Sequence, residues 1–330
     1  MYLYLQERAK NYYNAGFKAR IDCDKILEQE GYSLGLIHIH KFQLSQRISN
    51  FLDLGTIRSK LNKCDKLFLQ YPYYSQTQDG LKFYKKLLTN FSGKVECLIH
   101  DISWYRMEKK IEPELCYLLE RSDRVIVHTP AMKDLLVQKC SINENKIKIL
   151  YLFDYLSEKS PNPININGKT IIFAGNLKKS PFISELYKLP NELKFNLYGI
   201  HSNYIKESPN CSYKGKFHPD NLSAIEGNWG LVWDGEQIDT CSGGFGEYLK
   251  INSSHKLSLY LAACKPVIVW RESSLSNFIE NNKLGIVVNS LYDINKKLSE
   301  LTDQEKEEII KNVERVSITL RKGDMLRKCL

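Results

Sequence analysis

The sequence predicts an α/β protein made of two Rossmann-like, doubly wound domains that face a central cleft. Short apolar runs alternate with longer helical stretches, which is the rhythm of βαβ units around a mostly parallel sheet. The rhythm stops at 160–168, a segment of proline, asparagine and glycine typical of a linker, and then starts again. A chain of 330 residues is also long enough to bury two hydrophobic cores.

The first domain is predicted to cover residues 1–157. Its apolar runs predict strands at 2–5, 34–39, 66–70, 95–100, 124–128 and 147–152. Helices are predicted between several of these strands, at 17–30, 78–89, 112–121 and 130–139.

The second domain is predicted to cover residues 168–316, where the same alternation returns. Strands are expected at 170–174, 194–198, 231–233, 266–270 and 285–288. Helices are expected at 182–189, 221–226, 255–263, 275–280 and from 303 to 316. Residues 317–330 are predicted to form a C-terminal helix that returns to the first domain.

The charge of the chain favours anionic partners. It has 47 lysines and arginines against 38 aspartates and glutamates, a formal charge of +9. Nucleotide diphosphates and an anionic membrane surface fit this excess. Nucleic acid fits poorly, because no helix-turn-helix, zinc or RNA-binding signature accompanies the charge. No apolar run approaches the roughly 18 residues of a spanning helix, and the start does not resemble a signal peptide.

Cysteine usage predicts a cytoplasmic protein. The nine cysteines form no C-x-x-C pair. Cys97, Cys140 and Cys264 adjoin apolar segments and are predicted to be reduced packing residues.

A glycine-rich segment gives the strongest functional signal. The run TCSGGFGEYLK (240–250) follows Asp234 and precedes Lys256, which lies in the first turn of the predicted helix 255–263. Backbone N–H groups and the helix dipole attract an anion, and the lysine adds a positive charge. The segment therefore predicts a phosphate site. The alternative is a flexible loop beside an ordinary amphipathic helix.

Polar residues follow four of the predicted strands, at the strand ends where ligands bind in such folds. If the two sheets face each other, all four loops meet in one cleft. The loops carry Gly16; His100 and Asp101; Gly175, Asn176 and Lys179; and Asp234 with the glycine run and His255-Lys256.

These residues resemble the bacterial β-1,6-galactofuranosyltransferases of O-antigen and capsule assembly. The resemblance is carried by LVWDG (231–235), the glycine run, SHKLSLYLAA (254–263), PVIVW (266–270) and FIENNKLG (278–285). It extends over nearly the whole chain through AGFKAR (15–20), LIHD (98–101), IVHTPAM (126–132), FDYL (153–156) and FAGNL (173–177). A more distant resemblance, through LRKG (320–323), is to streptococcal glucosyltransferases that extend glycans on serine-rich adhesins.

The resemblance implies an inverting GT-B glycosyltransferase without a metal or other cofactor. UDP-galactofuranose would bind mainly to the second domain, and a lipid-linked oligosaccharide would offer a hydroxyl, O6 of an α-glucoside, to the first. Peripheral contact with the inner face of the plasma membrane and a homo-oligomer would fit such a role.

The resemblance also implies roles for individual residues. Lys179 and Lys256 would contact the diphosphate, with Gly175 and Asn176 beside them and Gly16 close to the donor. Phe217 would pack on the nucleotide, and Asn252 and His255 would help to seat it. Asp234 would reach the sugar.

An inverting transfer needs a general base for the acceptor hydroxyl. Asp101 is the first candidate and His100 the second, because both lie at the end of the predicted strand 95–100. The alternative is that Asp101 caps the next segment and His100 is a satisfied core histidine.

Three further patterns have a simpler reading. Asp22 and Asp24 match a D-x-D metal motif, but they lie in a helical pattern and are predicted to form a solvated face. His38 and His40 alternate like metal ligands without a third, and are predicted to be structural. The aromatic residues at 71–74 fit acceptor stacking and simple packing equally well.

Two rival functions stay open. One is the same fold using UDP-glucose or another UDP-hexose. The other is a non-catalytic subunit that binds glycans or chaperones a partner transferase. Retained diphosphate-binding lysines disfavour the non-catalytic subunit. Measuring UDP release from UDP-galactofuranose and from UDP-glucose distinguishes both rivals from a galactofuranosyltransferase.

Overall fold

The structure, a computed structural model, describes residues 1–8, 15–38, 43–73, 80–107, 110–206 and 208–330. These residues divide into two compact units. Unit 1 comprises Met1–Tyr13, Arg20–Leu150 and Cys329–Leu330. Unit 2 comprises Asn14–Ala19 and Tyr151–Lys328.

Unit 1 is built on a parallel sheet in the order β2-β1-β3-β4-β5-β6. Its strands are β1 (Tyr2–Arg8), β2 (Tyr32–His38), β3 (Lys66–Tyr71), β4 (Lys94–Ile99), β5 (Arg124–Val127) and β6 (Ile147–Ile149). Its helices are α1 (Ala15–Gln29), whose first residues belong to unit 2, α2 (Gln43–Leu61), α3 (Gly80–Leu88), α4 (Ser103–Arg106), α5 (Pro113–Arg121) and α6 (Pro130–Cys140).

Unit 2 has a second parallel sheet in the order β12-β11-β10-β7-β8-β9. Its strands are β7 (Thr170–Gly175), β8 (Lys194–Gly199), β9 (Cys211–Gly215), β10 (Trp229–Val232), β11 (Val267–Trp270) and β12 (Gly285–Val288). Its helices are α7 (Gly243–Tyr248), α8 (His255–Ala262), α9 (Ser276–Asn281), α10 (Ile294–Glu300), α11 (Asp303–Lys322) and α12 (Asp324–Arg327).

Every predicted strand is present, because each is a short, mostly apolar run that pairs with its neighbours in a parallel sheet. The strand that the sequence does not predict is β9, an edge strand whose residues are half-buried or exposed. Its sequence CSYKG lacks the apolar run that marks an interior strand. The long helix α2 is also not predicted, and the expected helix 182–189 is a 3₁₀ helix, Pro181–Lys188.

The C-terminal segment differs from its prediction. Residues 317–322 are not a separate helix but the last turns of α11, which packs on α8 in unit 2. The Ser317 hydroxyl donates a hydrogen bond to the Ala262 carbonyl at 2.8 Å, and Leu320 is fully buried in the core of unit 2. Of the C-terminal residues, Cys329–Leu330 belong to unit 1. The unit boundary lies between 150 and 151, before the predicted linker.

The cysteines follow the prediction in part. Cys97 and Cys264 are free and buried, as expected of packing residues. Cys140 is not reduced, because it forms a disulfide with Cys116. Cys116 lies on α5 and Cys140 ends α6. Their pairing depends on how these two helices pack, which the spacing of the cysteines in the sequence does not show.

Among the described residues, no helix combines the length and the apolar character needed to cross a membrane.

Gly230 marks the tightest packing between helix and sheet in unit 2. A methyl group added at Gly230 would lie 2.2 Å from the Cγ atom of Tyr260 on α8. Tyr260 is fully buried, and its hydroxyl oxygen accepts a hydrogen bond from the Ala174 N–H at 2.8 Å. The ring is therefore fixed at both ends, and the α8–β10 contact requires glycine.

We expect Gly230→Ala to lower the free energy of unfolding by about 1–3 kcal/mol, the usual cost of overpacking a core. Urea unfolding followed by tryptophan fluorescence measures this change. The matched control is Gly55→Ala on α2, where no atom lies within 4 Å of the added carbon. That variant should be stabilised by up to about 1 kcal/mol, since alanine favours a helix. Equal stability of the two variants would contradict the packing argument.

Candidate functional site

The strand order of unit 2 places a crevice at the carboxyl ends of β7 and β10. These strands are neighbours, and the chain continues from β7 to β8 on one side and from β10 to β11 on the other. In open parallel sheets, ligands bind where the strand order reverses in this way. The predicted donor-site residues Gly175 and Asp234 both lie at this edge, at and just after the ends of β7 and β10.

Lys256 reaches this crevice from the first turn of α8. Its Nζ atom lies 2.7 Å from Asp234 Oδ1 and donates a hydrogen bond to the Trp233 carbonyl at 3.1 Å. The ammonium group also lies 4.9 Å from the centre of the Phe173 ring. A carbon added at Gly175 would be 3.4 Å from Lys256 Cδ. The structure therefore brings Gly175, Asp234 and Lys256 together, as the sequence predicts.

The glycine run forms a compact loop against the end of β10. Gly235 has a φ of 109°, and a carbon added there would lie 2.4 Å from the Ser242 carbonyl oxygen. Only a glycine at position 235 allows the backbone there to approach the backbone of Ser242 so closely. The helix that the glycines open is the short α7, which the sequence does not predict, and Lys256 belongs to the next helix. The loop is thus folded on itself rather than open.

Lys179 lies close to the same loop. It ends the 3₁₀ turn Leu177–Lys179 after β7, and its Nζ atom is 5.0 Å from the centre of the Phe245 ring on α7. Asn176 starts this turn, and its Oδ1 atom accepts the Lys178 N–H at 3.2 Å. Lys179 is exposed, so its charge is available to an anion at the crevice. Both predicted diphosphate lysines therefore border the loop that follows β10.

His255 begins α8 beside Lys256 and lies in an aromatic setting. Its ring stacks on the Tyr155 ring, with centroids 5.1 Å apart, and contacts the Phe153 ring at 6.0 Å. The Nε2 atom is buried without a hydrogen-bond partner among the described residues. Burial of the ring, followed by the charge of Lys18, lowers the pKa of His255 to about 3. The imidazole is therefore neutral and carries a polar nitrogen suited to a polar ligand group.

Lys18 and Tyr155 adjoin His255, and the sequence reasoning does not single them out. Lys18 Nζ pairs with Asp220 Oδ1 at 2.6 Å and donates to the Leu156 carbonyl at 2.9 Å. It also lies 5.2 Å from the centre of the Tyr155 ring. Tyr155 is fully buried and links this lysine to His255. Both residues lie in motifs that carry the family resemblance, AGFKAR and FDYL, which was the available signal.

The other predicted donor-site residues lie in unit 2 as well. Gly16 is in the first turn of α1, and residues 9–14 before it lie outside the described chain. Asn252 has a buried Oδ1 atom without a hydrogen-bond partner in the described structure. Phe217 is half-buried and packs edge-on against the Tyr198 ring at 5.6 Å, near the end of β8. Among the described residues, no hydrogen bond, ion pair or ring contact joins Phe217 to either lysine.

The two candidate bases lie together at the end of β4 in unit 1. His100 Nε2 is 2.7 Å from Gln70 Oε1, the side chain at the end of the neighbouring strand β3. Asp101 follows and interacts electrostatically with the ring of His128, which comes directly after β5. Burial lowers the pKa of His128 to about 4, and its Nε2 atom bonds to the Ile99 carbonyl at 2.7 Å. His128 is thus a satisfied core histidine, whereas His100 takes part in a side-chain network.

The prediction of a solvated face for Asp22 and Asp24 is wrong. Both are buried, because α1 turns this face toward the sheet. Asp24 accepts hydrogen bonds from Gln6 and Gln70 at 2.7 and 2.6 Å. Within the described residues, histidine, cysteine and acidic side chains form no group of three that would suit a metal ion.

The remaining aromatic and histidine patterns have structural partners. His38 Nδ1 lies 2.9 Å from Asp53 Oδ1, as expected of a structural histidine, and His40 lies outside the described residues. Tyr73 is buried and donates to the Leu5 carbonyl at 3.0 Å, and Tyr71 donates to Glu112. These two tyrosines pack rather than offer a stacking face, and Tyr74 lies outside the described chain.

Sequence comparisons cover both units. The profile "Glucosyltransferase 3-like, N-terminal domain" matches residues 3–150, and "Glucosyltransferase 3-like, C-terminal domain" matches 171–330. The chain is 31% identical over 323 residues to β-1,6-galactofuranosyltransferase WbbI of Escherichia coli K12, covering 96% of this chain and 93% of that one. It is 27% identical over 319 residues to glucosyltransferase 3 of Streptococcus gordonii, covering 94% and 92%.

A solved structure supports the fold. A glycosyltransferase from Rickettsia africae superposes with a TM-score of 0.63 at 14% identity, covering 99% of this chain and 96% of that chain. With the two parallel sheets, this likeness confirms the predicted fold class, the two doubly wound domains of a GT-B protein.

We expect the His255 ring to stay neutral down to about pH 5, because the pKa is lowered from 6.5 to about 3. Histidine ring resonances followed by NMR during a pH titration measure this. The control is Lys18→Met, which removes a positive charge beside the ring and should raise the pKa. Since unfolding lets His255 take up a proton near pH 6.5, the folded state loses stability as the pH falls below that value. A midpoint near 6.5 in the unmodified protein would exclude the buried ring.

Proposed function

Because the chain belongs to the glucosyltransferase 3-like family, we propose that it is an inverting glycosyltransferase that transfers galactofuranose from UDP-galactofuranose. The acceptor is a hydroxyl group, O6 of an α-glucoside, on a lipid-linked oligosaccharide of a surface polysaccharide such as O-antigen or capsule. The relationship to WbbI, a β-1,6-galactofuranosyltransferase, supports the choice of donor and linkage.

The observation that carries this proposal is the position of Lys256. Its ammonium group sits at the carboxyl edge of β7 and β10, held by Asp234 and next to Gly175. Lys179 borders the same loop. Two lysines at the reversal point of a parallel sheet fit a diphosphate, because such crevices bind nucleotides in related folds.

The chemistry of the transfer explains why these cations matter. As the bond from C1 of the sugar to UDP breaks, negative charge grows on the diphosphate. Fixed lysines, and N–H groups at the start of α8, would stabilise that charge without reorganising. Ser254 leaves this helix start without a side-chain cap. One such group contributes on the order of 3 kcal/mol to lowering the barrier. In this role the lysines take the place of a divalent ion.

The acceptor hydroxyl loses its proton to a base at the end of β4. We assign this base to the pair His100 and Asp101, which lie at a carboxyl strand end in unit 1. Inversion places the base on the face of the sugar opposite to UDP. The net charge of +9 suits both an anionic donor and a membrane surface that carries the lipid-linked acceptor.

A second donor is favoured by one specific observation. The family profiles and the relative from Streptococcus gordonii carry the name glucosyltransferase 3. UDP-glucose is therefore the competing donor for the same site.

We expect the purified protein to release UDP from UDP-galactofuranose, with an alkyl α-glucoside as acceptor, at least tenfold faster than from UDP-glucose. A coupled assay for UDP measures both rates, and EDTA should leave them unchanged. Faster release from UDP-glucose would establish the competing donor. Binding of UDP without turnover of either sugar would identify a glycan-binding subunit instead. Loss of activity in EDTA that added Mg²⁺ restores would overturn metal independence.

We expect Lys256→Ala to lower kcat at least tenfold, and about 100-fold if the full electrostatic contribution is lost. Steady-state kinetics measure the change, and circular dichroism confirms that the variant is folded. The matched control is Lys178→Ala, which removes an exposed lysine two positions beyond Asn176. It should keep kcat within about twofold, since surface substitutions away from a site have small effects. Near-normal turnover by Lys256→Ala would remove this lysine from the mechanism.

A further inference from the structure

Two buried polar side chains and the half-buried His100 form a chain of hydrogen bonds in unit 1. Asp24 lies on α1, Gln70 on β3, and His100 directly after β4. Gln70 Nε2 donates to Asp24 Oδ1 at 2.6 Å, and Gln70 Oε1 lies 2.7 Å from His100 Nε2. Asp24 and Gln70 are 4% and 2% exposed, so water does not compete for the bond between them. We call this chain the Asp24–Gln70–His100 relay.

The relay fixes the direction of each hydrogen bond. An ionised carboxylate only accepts hydrogen bonds, so Asp24 requires the amide nitrogen of Gln70 to face it. The amide oxygen of Gln70 must then face His100. Because an oxygen can only accept here, His100 Nε2 must carry the hydrogen. In a neutral imidazole the other nitrogen, Nδ1, is then the basic one.

The neighbouring groups hold the relay in place. Gln6 Nε2 donates to the second carboxylate oxygen of Asp24 at 2.7 Å. The Arg20 guanidinium donates to the backbone carbonyls of Gln70 and Pro72 at 3.3 and 2.5 Å. The relay is therefore anchored at its carboxylate and at the backbone of its middle residue.

The protonation state of Asp24 does not break this direction. Burial raises the pKa of Asp24 to about 7, opposed mainly by the hydrogen bond from Gln6. When Asp24 is protonated, the proton can sit on the carboxyl oxygen that faces Gln6. The Gln6 amide then only has to rotate so that its oxygen accepts this hydrogen bond. Placing the hydroxyl toward Gln70 would instead force both Gln70 and His100 to rearrange. The first arrangement disturbs fewer bonds and keeps Nε2–H on His100.

We propose that Asp24 and Gln70 are positioning residues for His100, and that His100 Nδ1 is the general base of the transfer. This deepens the proposed function and depends on it. The acceptor oxygen bonds to C1 of the donor sugar while its proton passes to Nδ1. The C1–O bond to UDP breaks, and its electron pair leaves with UDP. The imidazolium that forms keeps its Nε2–H hydrogen bond to the Gln70 oxygen. This bond becomes stronger because its donor is now charged.

The buried position of the relay favours this role over a purely structural one. Buried polar networks are costly to form, and apolar side chains of similar volume would stabilise the same helix–sheet contact at least as well. Fixing the tautomer of a catalytic histidine through a buried acceptor gives such a network a function, since the wrong tautomer cannot accept the proton.

The first experiment reads the tautomer directly and does not depend on activity. The full-length protein is labelled with ¹⁵N-histidine, and the His100 signals are assigned by their loss in His100→Gln. We expect protonated Nε2 and unprotonated Nδ1 above the pKa of the ring. Gln70→Leu should abolish this preference, whereas Asn210→Leu, which removes a buried amide of unit 2 that donates to the Leu186 carbonyl at 2.9 Å, should preserve it. A hydrogen on Nδ1 in the unmodified protein overturns the relay.

The second experiment measures catalysis with the donor that the UDP-release assay identifies. Gln70→Leu should lower kcat about 10–100-fold with KM for the UDP-sugar unchanged, because loss of a general base costs at least this much. Asn210→Leu, which also removes a buried amide, should keep kcat within about twofold. A general loss of stability would lower the activity of both variants alike, which would overturn the positioning role.

Gln70→Glu provides the rescue variant. With one proton shared between the new carboxyl and Asp24, the carboxyl donates to Asp24 and its other oxygen accepts from His100. We expect this variant to recover the Nε2–H tautomer and at least tenfold of the rate lost in Gln70→Leu. Recovery of the tautomer without the rate would overturn His100 as the base and leave Asp101. If the unmodified protein shows the tautomer but turns over no UDP-sugar, the proposed function fails and not the relay.

Discussion

The ion pair between Lys256 and Asp234 is the constraint on which the proposed donor site depends. It joins the first turn of α8 to the loop after β10, and so fixes a positive charge at the edge where the strand order reverses. The lysine is mostly buried, and its aliphatic stem packs beside Gly175 and the Phe173 ring. A cation held in this way needs little reorganisation when an anion arrives, which is the condition for electrostatic stabilisation of a leaving group.

The surroundings of this pair are built to keep it in place. Gly230 lets α8 pack directly on β10, and the Tyr260 hydroxyl ties the same helix to β7. At the start of α8, Tyr155 stacks on His255 and is itself covered by Lys18. The position of Lys256 therefore follows from the packing of an entire helix, and not from a single contact.

Unit 1 uses buried polar groups differently. A carboxylate on α1, an amide on β3 and an imidazole directly after β4 are hydrogen-bonded in series, whereas unit 2 carries lysines at the edge of its sheet. Within the described part of the chain, no cation lies at hydrogen-bonding distance from the buried Asp24 carboxylate, which is satisfied by two amides instead. Such an arrangement orders a neighbouring ring through its hydrogen bonds, whereas the lysines of unit 2 act through their charge.

Local sequence was sufficient for the elements whose signal is local. The strands β1 to β8 and β10 to β12 are apolar runs, and their alternation with helices specifies a doubly wound sheet. The motif around Lys256 could also be predicted, because a glycine run and a lysine at the start of a helix are typical of an anion-binding site. The edge strand β9 could not be predicted, because its sequence contains no apolar run and its residues are half-buried or exposed.

Only the tertiary structure decided how side chains from distant segments pair. Asp22 and Asp24 looked like a solvated helix face, and they are buried because α1 packs this face on the sheet. Gln70, which donates to Asp24, lies 46 residues further along the chain. Lys18, near the start of the chain, pairs with Asp220 in its second half. The sequence by itself determined the two doubly wound domains and the residues at their strand ends, since hydrophobic periodicity is a property of neighbouring residues. Hydrogen bonds and ion pairs between segments depend on how helices and strands pack, and periodicity does not contain that information.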